Sequence, residues 1–190
     1  AAISAGADYL GVALLEEAVT LREAGISAPI LAWLVQPGSD FAQAIALDID
    51  IAAASLKALS EISLASQQVR KKARVHLEVD TGMTRGGFLA EWDQLGAEHV
   101  QDIEIVGVFS HFARADEPAE KQNQDQMARF AEMVAKLEAL GFSHLIKHLS
   151  NSAATLKNHA AAFDMVRTGI AVYGLSPDVT TLGTSSALAL

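Results

Sequence analysis

Polar and apolar residues alternate strictly through Arg74-Val75-His76-Leu77-Glu78-Val79-Asp80, and a glycine-rich turn, Thr81-Gly82-Met83-Thr84-Arg85-Gly86-Gly87, follows at once. A period of two predicts a strand over Ala73–Asp80, with Val75, Leu77 and Val79 on one face and His76, Glu78 and Asp80 on the other. Short apolar runs predict further strands over Ala7–Ala13, Pro29–Leu34, Ile49–Ala53, Ile103–Ser110, His144–Ser150 and Met165–Val172. Between them, helical spacing predicts helices over Leu15–Ala24, Asp40–Leu47, Leu56–Gln68, Glu91–Glu98, Lys121–Leu140 and Ala153–His159. Gly25 and Gly141 stand where a helix C-terminus wants glycine, and Ser55 stands where a cap is wanted. Ala1–Gly6 reads as the last turn of a helix stopped by Gly6, so both ends of the chain look cut from a larger protein.

This βα alternation with short connections implies parallel strands joined by right-handed crossovers. Two architectures compete: an open doubly wound sheet and a TIM (β/α)8 barrel. Seven strands are counted. A full barrel needs about 250 residues, so an incomplete α/β barrel lacking its first strand fits best. No glycine-rich dinucleotide fingerprint follows the first strand, which counts against the nucleotide-binding sheet. In a barrel Val75, Leu77 and Val79 pack outward on helices, and His76, Glu78 and Asp80 point inward.

Composition narrows the classes. A hydrophobic fraction of 51% supports one sizeable core. The net charge of −9 argues against a basic nucleic-acid-binding face. With no cysteine there is neither a disulfide framework nor a thiolate metal site, and a cytoplasmic protein is expected. Apolar runs stop short of the roughly 18 residues of a membrane span, and Ala1–Leu10 does not read as a signal peptide.

Four strand ends are chemically loaded: Asp80-Thr81-Gly82-Met83-Thr84-Arg85-Gly86-Gly87, Ser110-His111-Phe112-Ala113-Arg114-Ala115-Asp116-Glu117, His148-Leu149-Ser150-Asn151-Ser152-Ala153-Ala154, and Met165 to Gly174. Barrels build their sites at C-terminal strand ends. Ser152, before a short helix, suits an anion, and Gly169 and Ile170 add backbone N–H groups. Arg167 shares the inward parity of Met165 and Gly169, so it needs acceptors such as His148, a carboxylate or a ring nitrogen. Each residue alone has a plainer reading: Ser152 as an ordinary helix cap, His111 and His148 as satisfied core histidines, Glu78 with Arg85 as an ion pair, Asp116 and Glu117 as the start of a solvated helix. Their joint occurrence in barrel order favours a site.

Taken together, Val-Asp-Thr-Gly-Met-x-Arg (79–85), Ser-His-Phe-Ala-x-Ala-Asp-Glu (110–117), Asn-Ser-Ala-Ala (151–154) and Arg-x-Gly-Ile-Ala-x-Tyr-Gly (167–174) resemble the alanine racemases, fold-type III enzymes that use pyridoxal 5'-phosphate (PLP). The resemblance covers essentially all 190 residues. It implies a PLP-binding barrel over 1–176, with 177–190 leading toward a C-terminal β domain. It implies that Arg167 meets the pyridine nitrogen and is oriented by His148, and that Ser152, Gly169 and Ile170 hold the phosphate. His111 then lies beside the ring, Asn151 supports the site, and Arg85 serves the phenolate oxygen and the substrate carboxylate. Many relatives carry a carbamylated lysine at the position of Glu78; here Glu78 supplies a carboxylate on a shorter stem to orient Arg85. The PLP-binding lysine and the tyrosine base implied by the resemblance match no position here, so the 190-residue piece is expected to be inactive alone and its barrel edges to invite association. The parent is expected to be a homodimeric alanine racemase supplying D-alanine for peptidoglycan. The alternatives are a serine or broad-specificity racemase and a non-catalytic PLP-carrying barrel.

Overall fold

The computed structural model describes residues 1–175. The expected linker, 177–190, lies outside them. The described chain forms two compact units that interleave in sequence: Ala1–Glu78 with Gly87–Val106, and Val79–Gly86 with Gly107 onward.

The first unit carries β1 (Leu10–Val12), α1 (Leu15–Glu23), β2 (Ile30–Ala32), α2 (Phe41–Ala46), β3 (Asp50–Ala53), α3 (Leu56–Val69) and β4 (Ala73–Glu78). β1 pairs parallel with β2, β2 with β3, and β3 with β4, whose register sets Ile51 opposite Val75 and Ala53 opposite Leu77. All of β2 and β3 is buried, and β4 is buried except at Arg74. The alternation along β4 therefore marks two buried faces, one apolar and one polar, as expected for a covered parallel strand. Gly11 on β1 leaves room for the Trp33 ring, which a Cβ there would overlap. The helices end where local chemistry directs: Asp40 accepts from the Gln43 N–H at 2.9 Å, and Ser55 from the Ala58 N–H at 3.1 Å. Arg22 fastens α1 by donating to the Ile26, Ala28, Leu47 and Asp48 carbonyls.

The second unit carries the end of β5 (Ile103–Phe109), α4 (Lys121–Ala139), β6 (Ile146–His148) and α5 (Ser152–Lys157). β5 pairs parallel with β6, with Phe109 opposite His148. On α4 the buried residues Asn123, Gln126, Phe130, Val134 and Leu137 recur at three- and four-residue intervals along one stripe. Leu140 then ends the helix, and Gly141 takes a left-handed φ of 93°.

Strand order follows chain order from β1 to β6 without reversal. A doubly wound sheet would reverse at a switch point, so the fold is an incomplete (β/α) barrel. Two expected elements differ. The seventh strand, Met165–Val172, does not form. Asp164 and Met165 both donate to the Lys147 carbonyl and Arg167 to that of Ser150, which is not the evenly spaced ladder of a parallel pair. Gly169 then leaves extended geometry at ψ −84°, and Ile170–Tyr173 winds into a 3-10 turn. The expected helix Glu91–Glu98 is two 3-10 turns, Ala90–Gln94 and Ala97–Val100, because Leu95 and Gly96 between them are extended.

Candidate active site

The residues that gather into a site all belong to the second unit. β6 ends in His148, which is completely buried and stacks on Phe109 with ring centroids 4.9 Å apart and planes 11° from parallel. The Arg167 guanidinium comes in beside it. Its Nη1 lies 2.8 Å from His148 Nδ1 and donates to the His148 carbonyl at 2.9 Å. Its Nη2 donates to the Ser110 carbonyl at 2.6 Å, approaches the Leu149 carbonyl at 3.3 Å and reaches 3.4 Å from His111 Nδ1. The guanidinium carbon stands 5.3 Å from the Phe109 ring centre, within cation–π range.

That arrangement fixes protonation. Arginine has donors only and does not titrate, so the His148 Nδ1 facing it must accept. His148 is therefore the tautomer protonated at Nε2. His111 follows the same logic: burial, then the charges of Arg167 and Arg85, push its pKa down from 6.5 to about 4. At neutral pH its ring is uncharged.

A second cluster forms at α5. Asn151, not Ser152, caps this helix: its Oδ1 accepts from the Ala154 N–H at 3.1 Å. Ser152 is the first helical residue, and its hydroxyl oxygen accepts from the Gly169 N–H at 3.0 Å and the Ala171 N–H at 3.3 Å. Ile170 lies between those two donors. A hydroxyl and two backbone segments thus converge where sequence reading placed an anion. Asn and Ser are comparable caps, and the sequence places them side by side.

The glycine-rich turn is ordered by Asp80. Its Oδ1 accepts from the N–H groups of Gly82 at 2.9 Å and Thr84 at 3.0 Å, with φ of 129° at Gly82 and 56° at Thr84. Arg85, beyond it, is exposed, and its charge helps to depress His111. Glu78 is buried in the first unit. Asp116 and Glu117 do not begin α4. Glu117 instead pairs with Arg114 through two bonds of 2.9 and 2.6 Å, ahead of the helix at Lys121. Among the described residues no group of His, Asp or Glu could hold a metal ion, and no helix is long and apolar enough to cross a membrane.

Sequence reading missed Gln126, and it included Thr81 and Ser110 in the loaded strand ends without giving either a role. Gln126 is buried on α4, and its amide meets Thr81, His111 and Ala113. Its signal was a polar residue in line with Phe130, Val134 and Leu137.

The chain matches "Alanine racemase, N-terminal domain" over residues 1–177. It is 46% identical over 183 residues to an alanine racemase of Salinispora arenicola, covering 93% of this chain and 49% of that protein. To an alanine racemase of Mycobacterium avium it is 44% identical over 185 residues, covering 93% and 47%. The fold superposes on the crystal structure of alanine racemase from D-cycloserine producing Streptomyces lavendulae with TM-score 0.90 and 41% identity, covering 93% of this chain and 48% of that one. On the Bacillus anthracis alanine racemase with bound L-Ala-P the TM-score is 0.85 at 36% identity, covering 94% and 47%. The chain spans about half the length of the curated relatives it matches.

Proposed function

The chain belongs to the family of alanine racemase N-terminal domains, and from that premise we propose that the full-length protein interconverts L-alanine and D-alanine with PLP. The observation that carries the proposal is the forked contact of Arg167 with His148, the Ser110 carbonyl and His111. The donor set suits the cofactor. Arg167 would hold the pyridine nitrogen, offering N–H groups and giving up no proton at neutral pH. Ser152, with the backbone of Gly169 and Ile170, would hold the phosphate. When bound, PLP supplies the electron sink that weakens the Cα–H bond of an amino acid.

The residues of this chain bind and orient. His148, neutral and locked by its stack on Phe109, aims the guanidinium. His111, also neutral, lies beside the same cation and adds no positive charge near the ring. Asn151 supports the phosphate site by starting α5 one residue before Ser152. Arg85 binds the substrate carboxylate, and Glu78 orients it in place of the carbamylated lysine that the resemblance implies at this position. Support for that last role is the inward parity of Glu78 along β4 and the burial of its side chain. D-alanine supply for peptidoglycan, a cytoplasmic location and a homodimer complete the reading.

The test is D-alanine formation from L-alanine by the full-length protein with PLP. Bound PLP without turnover would sink the racemase reading in favour of a cofactor carrier, and serine turned over faster than alanine would move the substrate. Glu78→Gln should lower kcat/KM about tenfold, a scale set by a lost charged hydrogen bond, and bicarbonate should not restore it. Unchanged kinetics would remove Glu78 from the site.

A further inference from the structure

Gln126 sits on the buried face of α4, one turn before Phe130, and is 1% exposed. Both protons of its Nε2 are used. One bond goes to Thr81 Oγ1 at 3.1 Å and the other to the His111 carbonyl at 2.8 Å. Its Oε1 accepts from the Ala113 N–H at 3.0 Å. Thr81 Oγ1 in turn lies 2.8 Å from Ser110 Oγ. Since Thr81 accepts from Gln126, its own proton is available to Ser110. One turn earlier on the helix, Gln122 Nε2 donates to the Gly82 carbonyl at 3.1 Å.

These bonds have a common geometry. Residues 110–113 are gripped on one side by Gln126, at the His111 carbonyl and the Ala113 N–H, and on the other by Arg167, at the Ser110 carbonyl and the His111 ring. The same amide reaches across to Thr81, at the base of the turn that carries Arg85. A buried amide with three of its bonds made in three directions has little freedom to tilt. Only glutamine or asparagine offers two donors and an acceptor without charge, and asparagine is one methylene too short.

We propose that Gln126 is a positioning residue: through Thr81 and the 111–113 backbone, it sets the His111 ring against Arg167 and anchors the base of the Arg85 turn. This deepens the proposed racemase site and rests on that reading for its functional consequence. Its physical content does not depend on turnover. A packing role would require only that the site be filled, which leucine can do. A positioning role requires the two donors.

The experiment follows histidine ring resonances and backbone amide exchange in the full-length protein, without added amino acid. His111 is assigned from the His111→Gln spectrum. In Gln126→Leu the His111 pKa should rise from its depressed value by about one unit, as the ring moves off its buried, cation-facing position. Exchange at Ala113 should accelerate at least tenfold. Gln126→Glu separates the bonds: it keeps the acceptor for Ala113 and loses both donors. Ala113 should then stay protected, while His111 rises further than in the leucine variant because the buried carboxylate adds its own upward push. Should Gln126→Leu fail to fold, Thr81→Val removes one arm and should shift His111 in the same direction by less. A folded Gln126→Leu or Thr81→Val protein with His111 titrating as in the parent overturns the proposal, even if stability falls. A shifted His111 in a protein that does not racemise alanine would keep the positioning role and sink the proposed activity instead.

Discussion

Among the described residues each unit gathers polar groups around one charged side chain, Asp50 in the first and Arg167 in the second, and the two are built on opposite principles. In the first unit Asp50 is enclosed by donors. Arg74 Nε meets its Oδ1 at 2.8 Å, the Tyr9 hydroxyl donates to Oδ2, and His76 Nε2 stands 3.6 Å from Oδ2. Burial pushes the Asp50 carboxyl up, but His76, Arg74 and Tyr9 together outweigh it and the net shift is down. Burial and the Asp50 charge push Tyr9 up. Every shift fixes the charge state that the partners need. In the second unit a cation, Arg167, is surrounded by carbonyls and two imidazoles, and the shift at His111 keeps a base neutral within reach of two arginines. The first pattern is that of an ion pair that holds strands together. The second arranges donors and neutral rings with fixed tautomers, which suits recognition of a ligand that can accept hydrogen bonds.

The comparison breaks most visibly at its two centres. Arg167→Met should lower kcat/KM of the full-length protein by about 100-fold or more, since misplacement by about 1 Å has that scale. In the same variant the His111 pKa should rise from about 4, because one of its two cations is gone while burial remains. Asp50→Asn should act on stability instead. We expect a loss of about 2 kcal/mol in urea titrations, below the usual cost of breaking a fully buried pair because Arg74 is 41% exposed. His111 should titrate unchanged in that variant; a shift would show that the clusters are not separate.

Acid should resolve the same contrast along one axis. Between pH 6.5 and about 4 the unfolded chain takes up a proton at His111 that the folded chain refuses, so stability falls as pH drops through that window. The effect is on the order of 1–2 kcal/mol once solvent access to the half-buried ring is counted. Asp50 works lower down. Its contribution is present above its ordinary value of 3.8 and is lost as pH falls through its depressed folded value. His111→Gln should flatten the upper limb of a stability-versus-pH curve and Asp50→Asn the lower one.

The smallest effects compare two helix caps. Ser55→Ala and Asn151→Ala should each cost about 1 kcal/mol. Asn151→Ala should also weaken PLP binding severalfold in a spectroscopic titration, because it loosens the turn from which Ser152 holds Gly169 and Ala171. Equal PLP affinity in the two variants would reduce Asn151 to a cap like any other.

Local pattern made most of this legible. Six of the seven expected strands form, one read from strict alternation and five from short apolar runs, and Ser55, Gly6 and Gly141 act where their chemistry directs. Arg167 meets His148 and Ser152 meets Gly169 as expected, but the strand parity invoked for Arg167 has no strand behind it; their place beyond the end of β6 is what made the contacts readable. What escaped depended on long-range partners. Met165–Val172 has strand-like composition, yet a strand also needs a regular ladder, and no periodicity reports that. Gln126 occupies a position that helical spacing assigns to a hydrophobe. Its reason lies 45 residues away at Thr81 and 15 away at His111. Gly96 was visible as a glycine, but its extended geometry, which splits the expected helix, was not.

The fit of Trp33 against Gly11 has a consequence for how this sequence can drift. The glycine is there for space, since a Cβ would run into the indole. The two positions therefore form one heritable unit: a lineage can enlarge position 11 only after, or together with, a smaller residue at 33. Along that path Gly11→Ala alone forces the Trp33 ring to move aside, Trp33→Leu alone opens a gap, and the double change restores the fit. Relatives with a larger residue at position 11 should be the ones that have lost the tryptophan.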